Sequence, residues 1–467
     1  MRIKIGERLI RAGVVSEKQI DEALARQRAQ GGRLGDNLLE LGFLDEETLH
    51  RFVHHVPAKP ADLKETGLPR AMLEELVLKL AFYQTEFTPT EISELIKLPP
   101  SLVIELITTL RREGYMQARG GDSYLVSSVH HTLTEGGRTR AHELLGQSSY
   151  AGPAPVPITD YIETVWHQTI HSTVADEPVV RNGFKNLVLR HELFNQLGPA
   201  INSGRSIFLY GPPGTGKTSV SQGIADLFQD EIFIPHSVYA HGQIIQVFYP
   251  INHDPLENEE ASWDRRWCRA RRPSVTVGGE LSLDMLELNL VPLSNYYDAP
   301  LQLKANNGLL IIDDLGRQRI ATRDLLNRWI IPLETAQEHL TLATGQKITV
   351  PFDVLVIFCT NIAPTELVDE AFLRRIRHKI KLDHVSRDEF VEILKINCDR
   401  SHIRFEPEVV GYLLEMYYRQ QSRPFVAVHA RDIVDHIVDY ARYRRTEPVL
   451  TKETIDVACS TYFVEGY

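Results

Sequence analysis

The sequence predicts a multidomain α/β protein, in which a parallel β-sheet core with a helical lid follows a small helical domain and a winged-helix-like domain. Three observations support this prediction. Apolar residues recur at helical spacing through residues 1–56. From about residue 181, short β-branched runs alternate with helical segments, which is the pattern of a parallel sheet. After about residue 385, the helical pattern continues to the end of the sequence.

Length and composition are those of a large globular protein with more than one core. The 467 residues are 43% hydrophobic and 24% charged, with a net charge of −11. The acidic balance argues against a general nucleic-acid binder. The four cysteines lie far apart, without metal-ligand spacing. No apolar run approaches the roughly 20 residues that span a bilayer, and the charged N-terminus lacks a signal-peptide core. We therefore expect a cytoplasmic protein without a membrane span.

The first 56 residues carry one pattern twice. "KIGERLIRAG" (4–13) and "RLGDNLLELG" (33–42) share a basic residue, an apolar residue and a glycine, followed by leucine at matching positions. Each copy opens a 24-residue unit, and five residues separate the two units. Residues 1–56 are therefore predicted to form one small helical domain, and residues 57–68 a linker.

Residues 69–150 have the order of a winged helix-turn-helix: helix, a short turn with two prolines, helix, then two short strands around "GGD". The second helix carries only Arg111 and Arg112 as bases, and Glu105 and Glu113 offset them. A DNA-reading helix usually presents more donors. We therefore expect a protein-contact or linker module and no nucleic-acid partner, with a winged-helix DNA-binding regulator as an alternative.

A glycine-rich loop, "GPPGTGKTS", follows the apolar strand "SIFLY" and opens a helix. It lies in the predicted core (181–385), which follows a Pro-rich connector (151–180) and precedes the lid (386–467). This is GxxxxGK[ST] in its strand–loop–helix context, where backbone N–H groups converge on phosphate oxygens. Lys217 would add charge for the β- and γ-phosphates, and Thr218 is a candidate Mg²⁺ ligand. The predicted nucleotide-binding residues of the loop are Gly211, Pro212, Pro213, Gly214, Thr215, Gly216, Lys217, Thr218 and Ser219.

Two carboxylates follow the apolar strand "GLLII". Asp313 is predicted to reach Mg²⁺, directly or through water. Asp314 is predicted to orient or deprotonate the water that attacks the γ-phosphate. The expected cofactors are therefore ATP and Mg²⁺, with Thr218 and Asp313 as the metal-binding residues.

Residues 181–467 resemble an AAA+ ATPase module. "GPPGTGKT" is that family's usual wording, and "VIFCTNI", "EAFLRRIRHKI" and "VHARDIVDHI" resemble its sensor-1, arginine-finger and sensor-2 stretches. The resemblance implies that Asn361 helps to place the water. It also implies that Arg374 or Arg375 reaches the γ-phosphate of a neighbouring subunit, and that Arg431 contacts phosphate from the same chain.

The same resemblance implies a homo-oligomer, commonly a ring of six, that hydrolyses ATP to remodel or drive a protein client. The family usually places Glu where this chain has Asp314, and the shorter side chain must sit closer to the water. A switch or scaffold that binds ATP without hydrolysing it is therefore the alternative function.

The doubled N-terminal pattern resembles the MshEN-type domain of type II secretion and type IV pilus ATPases, which in several of those proteins binds cyclic di-GMP. The rest of the chain lacks the other motifs of those motors. Lys4 stands where the pattern prefers Arg, and Val56 where it prefers Gln. A docking domain without the ligand is the alternative. The residues that the resemblance implies for cyclic di-GMP are Lys4, Ile5, Gly6, Leu9, Gln27, Arg33, Leu34, Gly35 and Leu38.

The run "WDRRWCRARRP" (263–273) is basic and holds two tryptophans. Charge and stacking would suit a nucleic acid. Because acidic residues precede the run, internal charge pairing is the simpler interpretation.

Overall fold

The computed structural model of the chain describes residue 9 and residues 14–30, 34–45, 56–119, 129–172, 175–256, 262–292, 294–367 and 373–463. The N-terminal part contains helices α1 (Glu17–Gln30) and α2 (Leu34–Glu40). Ser16 and Gln19 hydrogen bond to each other at the start of α1. The apolar side chains of this part form a small core of their own: Leu9, Val15, Ile20, Ala23, Leu38 and Leu44.

Residues 69–150 form what we call the winged-helix-like unit. Its elements are α3 (Arg70–Phe82), α4 (Pro89–Ile96), α5 (Pro100–Arg112), β1 (Met116–Ala118), β2 (His131–Leu133) and α6 (Glu135–Gln147). Thr88 and Glu91 form a capping box that starts α4, and Lys97 in the left-handed region ends it. Strands β1 and β2 pair antiparallel. Residues 120–128, with the "GGD" of the predicted wing, lie outside the described residues.

The stretch predicted as an extended connector, residues 151–180, contains regular structure. It includes β3 (Val156–Pro157), α7 (Ile158–His167), a 3₁₀ turn (Ile170–Ser172) and the start of α8 (Glu177–Gly183), which precedes α9 (His191–Ser203). Tyr161 and Val165 of α7 are buried. The prolines favour an extended start, but the apolar residues that follow repeat at helical spacing and pack against the body of the protein. The structure thus differs here from the connector that composition suggested.

The core begins with β4 (Ile207–Tyr210) and α10 (Lys217–Ala225). The elements that follow are β5 (Glu231–Pro235), β6 (Ser237–Ala240), β7 (Gln243–Gln246), β8 (Trp267–Arg271), β9 (Ser274–Val277), a 3₁₀ turn (Leu283–Leu286), β10 (Asn289–Leu290), β11 (Tyr297–Asp298), α11 (Leu301–Lys304), β12 (Leu309–Ile312), α12 (Thr322–Thr335), β13 (Gln337–Thr341), β14 (Lys347–Pro351), β15 (Leu355–Thr360), α13 (Pro364–Leu367) and β16 (His378–Lys381).

The core sheet is parallel, with the strand order β16–β4–β15–β12–β9. Strand β15 therefore lies between β4 and β12. Every residue of β12 and β15 is buried, as expected for strands covered on both faces. The predicted α/β class with a parallel-sheet core is confirmed.

A second sheet, which the sequence did not indicate, has the order β10–β11–β7–β6–β3. Its outer strand, β3, comes from the predicted connector and pairs with β6. The hairpin β13–β14 and the antiparallel pair β5–β8 form separate two-stranded sheets.

The basic run 263–273 lies on and around β8, and its arginines are paired within the chain. Their acidic partners lie within the run, in the preceding segments and, for Arg265, on α4, and this pairing supports the charge-pairing interpretation over nucleic-acid contact. The pairs are Arg265–Glu94, Arg266–Asp264, Arg269–Glu231, Arg271–Asp254 and Arg272–Asp230.

Arg266 also ties the predicted linker to this region. Its guanidinium donates to the Thr66 carbonyl at 2.8 Å and to the Pro155 carbonyl at 3.2 Å. The backbone N–H of Asp264 donates to the Pro57 carbonyl at 2.9 Å. Residues 57–68 are therefore bound along the body of the protein.

The C-terminal part is helical, as the sequence predicted. It contains α14 (Arg387–Arg400), α15 (Pro407–Leu413) continuing as a π-helix (Leu414–Arg419), α16 (Ala427–Arg444) and α17 (Lys452–Tyr462). Ser386 and Glu389 form a capping box at the start of α14. Within the described part of the chain, no helix combines the length and apolar character needed to cross a bilayer.

Candidate nucleotide site

The strand order brings three polar segments to one edge of the core sheet. The glycine-rich loop follows β4, Asp313 follows β12, and Asn361 follows β15. Because the carboxyl ends of parallel strands share one edge, these segments meet, as ligand-binding residues do in open α/β sheets. The cavity at this edge has a volume of about 420 Å³.

Two glycines of the loop stand where a side chain has no room. Gly211 has φ 146°, and a Cβ atom there would lie 1.9 Å from the Leu382 carbonyl oxygen. Gly214 has φ 75°, and a Cβ atom there would lie 2.6 Å from Cγ1 of Val428. The first glycine lets the loop approach the sheet, and the second lets the lid approach the loop.

Lys217 begins α10, and its ammonium group is held by the loop itself. Nζ donates to the Gly211 carbonyl at 3.0 Å and to the Pro212 carbonyl at 2.8 Å. Burial lowers the pKa of Lys217, while the carboxylates of Asp313 and Asp314 act to raise it. The two hydrogen bonds hold the Lys217 ammonium group close to the loop, whose backbone amides are the groups that bind phosphate in loops of this type.

Thr218 and Asp313 form a pair of oxygen donors. Thr218 Oγ1 donates to Asp313 Oδ2 at 2.8 Å. A hydroxyl and a carboxylate this close fit Mg²⁺, which is usually bound by one or two protein oxygens together with phosphates and water. No group of three or more His, Cys, Asp or Glu side chains in the described ranges could hold a metal by itself.

Asp314 adopts a left-handed backbone conformation, with φ 49°. Its carboxylate lines the cavity and accepts a hydrogen bond from Asn361 Nδ2 at 3.3 Å. Its backbone N–H donates to Asp313 Oδ1 at 3.0 Å. The structure thus brings together the carboxylate and the amide that the sequence predicted as the water-placing pair.

Gln318 braces this turn, and sequence reasoning missed it. Its Nε2 donates to the carbonyls of Asp313 at 2.9 Å and Asp314 at 3.0 Å. Its Oε1 accepts from the backbone N–H of Gly316 at 2.8 Å. A glycine two residues before a glutamine is too common a pattern to have indicated this role.

The lid closes the cavity from the other side. The Val428 N–H donates to the Gly214 carbonyl at 3.1 Å, which joins α16 directly to the loop. Arg431, predicted to contact phosphate, lines the cavity and is paired with Asp432 at 2.8 Å. The predicted loop residues Pro213 to Ser219 also line the cavity.

Apolar residues that the sequence did not indicate complete the wall. Leu187, Val188 and Leu189 precede α9, and Ile393 and Ile396 lie on α14. These two segments are also joined by a hydrogen bond, in which Arg190 Nε donates to Glu389 Oε1 of α14 at 3.0 Å. Asn186, Asn397 and Arg400 line the same region, so the cavity has a charged end at the loop and a mixed apolar and polar end between the core and the lid.

The structure does not bring Arg374 or Arg375 to this cavity, since neither residue lines it. Arg375 Nε donates to Glu334 Oε1 of α12 at 2.6 Å. The Arg374 side chain is exposed. A role for either residue at a nucleotide would require the cavity of another chain.

The residues predicted for cyclic di-GMP are only partly described. Lys4, Ile5, Gly6 and Arg33 lie outside the described residues. Leu9 and Leu38 are completely buried in the small N-terminal core. The interpretation of these two leucines as an apolar surface for guanines is therefore corrected: their periodicity reflects packing. Two half-buried residues, Gln27 and Leu34, remain accessible, whereas Gly35 is buried.

Comparisons with known proteins find distant similarities. A family described as a domain of unknown function (DUF8689) matches residues 386–461, which contain α14 to α16 and most of α17. No curated protein matches this chain. NtrX from Brucella abortus in complex with ADP is 14% identical, with 59% of this chain and 56% of that chain covered and a TM-score of 0.37. The chain thus spans just over half the length of NtrX.

A RuvB K64R mutant from Thermotoga maritima is also 14% identical. The match covers 58% of this chain and 69% of that chain, with a TM-score of 0.35.

Proposed function

We propose that the protein is a Mg²⁺-dependent ATPase of the AAA+ type that uses ATP hydrolysis to remodel or drive a protein partner. One observation carries this proposal: the loop lysine, the Thr218–Asp313 pair and the Asp314–Asn361 pair meet in one cavity that a lid arginine also lines. The end with apolar walls and a few polar groups suits a nucleotide base, and the charged end at the loop suits its phosphates. The predicted cytoplasmic location agrees with the use of ATP.

In this proposal, each side chain has one task. Lys217 leaves the two loop carbonyls and pairs with the β- and γ-phosphates. Thr218 and Asp313 would hold Mg²⁺, which would neutralise charge on the phosphate oxygens. Asp314 and Asn361 would orient a water for in-line attack on the γ-phosphorus. As its oxygen bonds to phosphorus, the bond to the bridging oxygen breaks, Asp314 accepts the water's proton, and ADP and inorganic phosphate leave.

The experiment is steady-state phosphate release by the full chain with ATP and Mg²⁺, compared with Lys217→Ala. We expect turnover by the wild-type chain and none by the variant, because the variant lacks the charge that binds the phosphates. A matched control is Lys347→Ala, an exposed lysine at the start of β14, which should leave turnover unchanged. Equal turnover by wild type and Lys217→Ala would contradict the proposal.

An ATP-binding switch that does not hydrolyse ATP is the second candidate, and the short side chain of Asp314 favours it. ATP turnover by the wild-type chain, compared with turnover by Asp314→Glu and Asp314→Ala, distinguishes the two functions. If the wild-type chain binds ATP without turnover and Asp314→Glu hydrolyses it, the switch is the correct function. If the wild-type chain turns over and Asp314→Ala does not, the ATPase is correct.

We further propose that the active form is a homo-oligomer, in which Arg374 or Arg375 acts on the nucleotide of a neighbouring subunit. Neither residue lines the cavity of its own chain, and the Arg374 side chain is exposed. Mixing Lys217→Ala with an inactive variant of either arginine, Arg374→Ala or Arg375→Ala, tests this arrangement. Partial recovery of turnover in the mixture is expected, since some subunit boundaries would hold an intact site. A mixture as inactive as its components would contradict it.

We also propose that cyclic di-GMP regulates this ATPase through residues 1–56. The doubled sequence pattern supports this proposal, as does the accessibility of Gln27 and Leu34. Calorimetric titration of the full chain with cyclic di-GMP is the test. We expect binding, with a weaker response in Arg33→Ala. An absence of binding would leave residues 1–56 as a docking domain.

A further inference from the structure

A second cavity, of about 570 Å³, lies between the winged-helix-like unit and the second sheet. One wall is formed by α3 and α6, including Met72 and Leu76. The opposite wall is formed by the β6–β7 hairpin, with Tyr239 and Ile244, and by the turn that joins β13 and β14. This volume falls in the range of about 300–1,000 Å³ that is typical of small-molecule sites, which often lie between domains.

Lys79 of α3 lines this cavity and is only 7% exposed. Within the described ranges, its ammonium group makes no hydrogen bond and has no acidic partner within 4.0 Å. Burial lowers the pKa of Lys79, and the charge of Glu75 one turn earlier partly offsets that effect. The Glu75 carboxylate itself lies 3.8 Å from Arg140 on α6. Glu75 also lines the cavity, but its carboxylate is shared with Arg140 and lies beyond ion-pair distance of the lysine.

Lysine side chains are rarely this buried unless they are paired, and the Lys79 ammonium group, which has no such protein partner in the described ranges, keeps contact with the open space of the cavity. The other cations of this region illustrate the usual arrangement, because Arg265 and Arg266 are both paired with carboxylates. At Lys79 the open space of the cavity takes the place of such a partner. An anion that enters the cavity would supply the missing acceptor.

The rest of the lining suits a small organic molecule. Met72, Leu76 and Ile244 offer apolar surface, while Gln243 and Asn295 add amide groups that can donate and accept hydrogen bonds. An inorganic ion would leave most of this surface without a partner.

We propose that this cavity binds a small organic anion, whose carboxylate or phosphate group pairs with Lys79 and whose apolar body lies against Met72 and Ile244. Because its walls belong to both units, the bound anion would connect the winged-helix-like unit to the second sheet. This inference does not depend on the proposed ATPase activity.

The test is a thermal-shift titration of the full chain carrying Lys217→Ala, which keeps phosphate-bearing probes from acting through the nucleotide cavity. Each of the three matched probes carries one phenyl ring: phenyl phosphate and phenylacetate are anions, and benzyl alcohol is neutral. We expect phenyl phosphate or phenylacetate to raise the melting temperature and benzyl alcohol to leave it unchanged. The more effective anion identifies the class of ligand.

Replacing Lys79 by Met in the same chain should weaken binding of the effective anion by about tenfold or more, because a charged hydrogen-bond partner is lost. Ile244→Glu is a second variant, which leaves the lysine intact and puts a carboxylate on the opposite wall. It should also abolish the shift. The proposal is overturned if no probe shifts the melting temperature, if benzyl alcohol is as effective as the anions, or if the shift persists in both variants.

Discussion

Replacing Gln318 by Ala tests whether the turn that carries Asp314 must be held in place for hydrolysis. The side chain makes three hydrogen bonds to the backbone of residues 313–316, with lengths from 2.8 to 3.0 Å. A net contribution of roughly 1 kcal/mol each is typical, although bonds that share one amide group do not add fully. Asp314 also occupies a left-handed conformation, with φ 49°, which costs about 1 kcal/mol or more outside glycine. The turn would lose about 2 kcal/mol of its support.

A loss of about 2 kcal/mol lowers the equilibrium constant for forming the productive turn roughly 30-fold, because each 1.4 kcal/mol is a factor of ten. We therefore expect kcat for ATP hydrolysis to fall in Gln318→Ala, by up to about 30-fold. The Michaelis constant for ATP should change by less than about twofold, since the phosphate loop is a separate segment. Steady-state phosphate release over a range of ATP concentrations measures both quantities.

The matched control is Gln346→Ala, in the exposed turn between β13 and β14. Its side chain makes no hydrogen bond within the described ranges, so its kinetics should equal those of the wild type. The reasoning fails if Gln318→Ala keeps the wild-type kcat. It also fails if the substitution raises the Michaelis constant and leaves kcat unchanged, because the residue would then support binding.

Three further predictions concern the loop, the linker and the metal. Gly214→Ala should weaken ATP binding by about tenfold to 100-fold, because the new Cβ atom would lie 2.6 Å from Val428 Cγ1. The control for backbone strain alone is Gly345→Ala, since Gly345 has φ 82° and a Cβ atom there would meet no atom within 4 Å. Arg266→Met should lower the free energy of unfolding by about 3–5 kcal/mol in a denaturant titration, since it leaves the buried Asp264 carboxylate unpaired. Arg404 is exposed, so the control Arg404→Met should lower the free energy of unfolding by less than about 1 kcal/mol. Chelation of Mg²⁺ should stop phosphate release, and added Mg²⁺ should restore it; turnover that continues in the chelator would contradict the metal's role.

Local signals in the sequence made the core sheet predictable. The runs around β4, β12 and β15 are apolar and short, and each ends at a polar segment. Such runs are typical of strands buried on both faces, and the loop motif places the phosphate site at the end of β4.

The second sheet and the charge pairs depend on residues that are distant in sequence. Strand β3 has two residues, too few for any periodic pattern, and it pairs with β6 about 80 residues later. Arg265 pairs with Glu94, which lies 171 positions away. The sequence alone instead predicted pairing with the acidic residues that directly precede the basic run 263–273. The burial of Leu9 and Leu38 shows a related difficulty, because a repeated apolar position indicates packing and ligand contact equally well.

Calorimetric titration of the full chain with ATP and Mg²⁺ tests the central claim most directly, namely that residues 211–219 and the two aspartates form a triphosphate site. We predict one ATP bound per chain, with affinity reduced by at least about tenfold in Lys217→Ala, because a charge-assisted contact to phosphate is lost. Equal ATP affinity in the wild type and in Lys217→Ala, or no heat of binding in either, would contradict it.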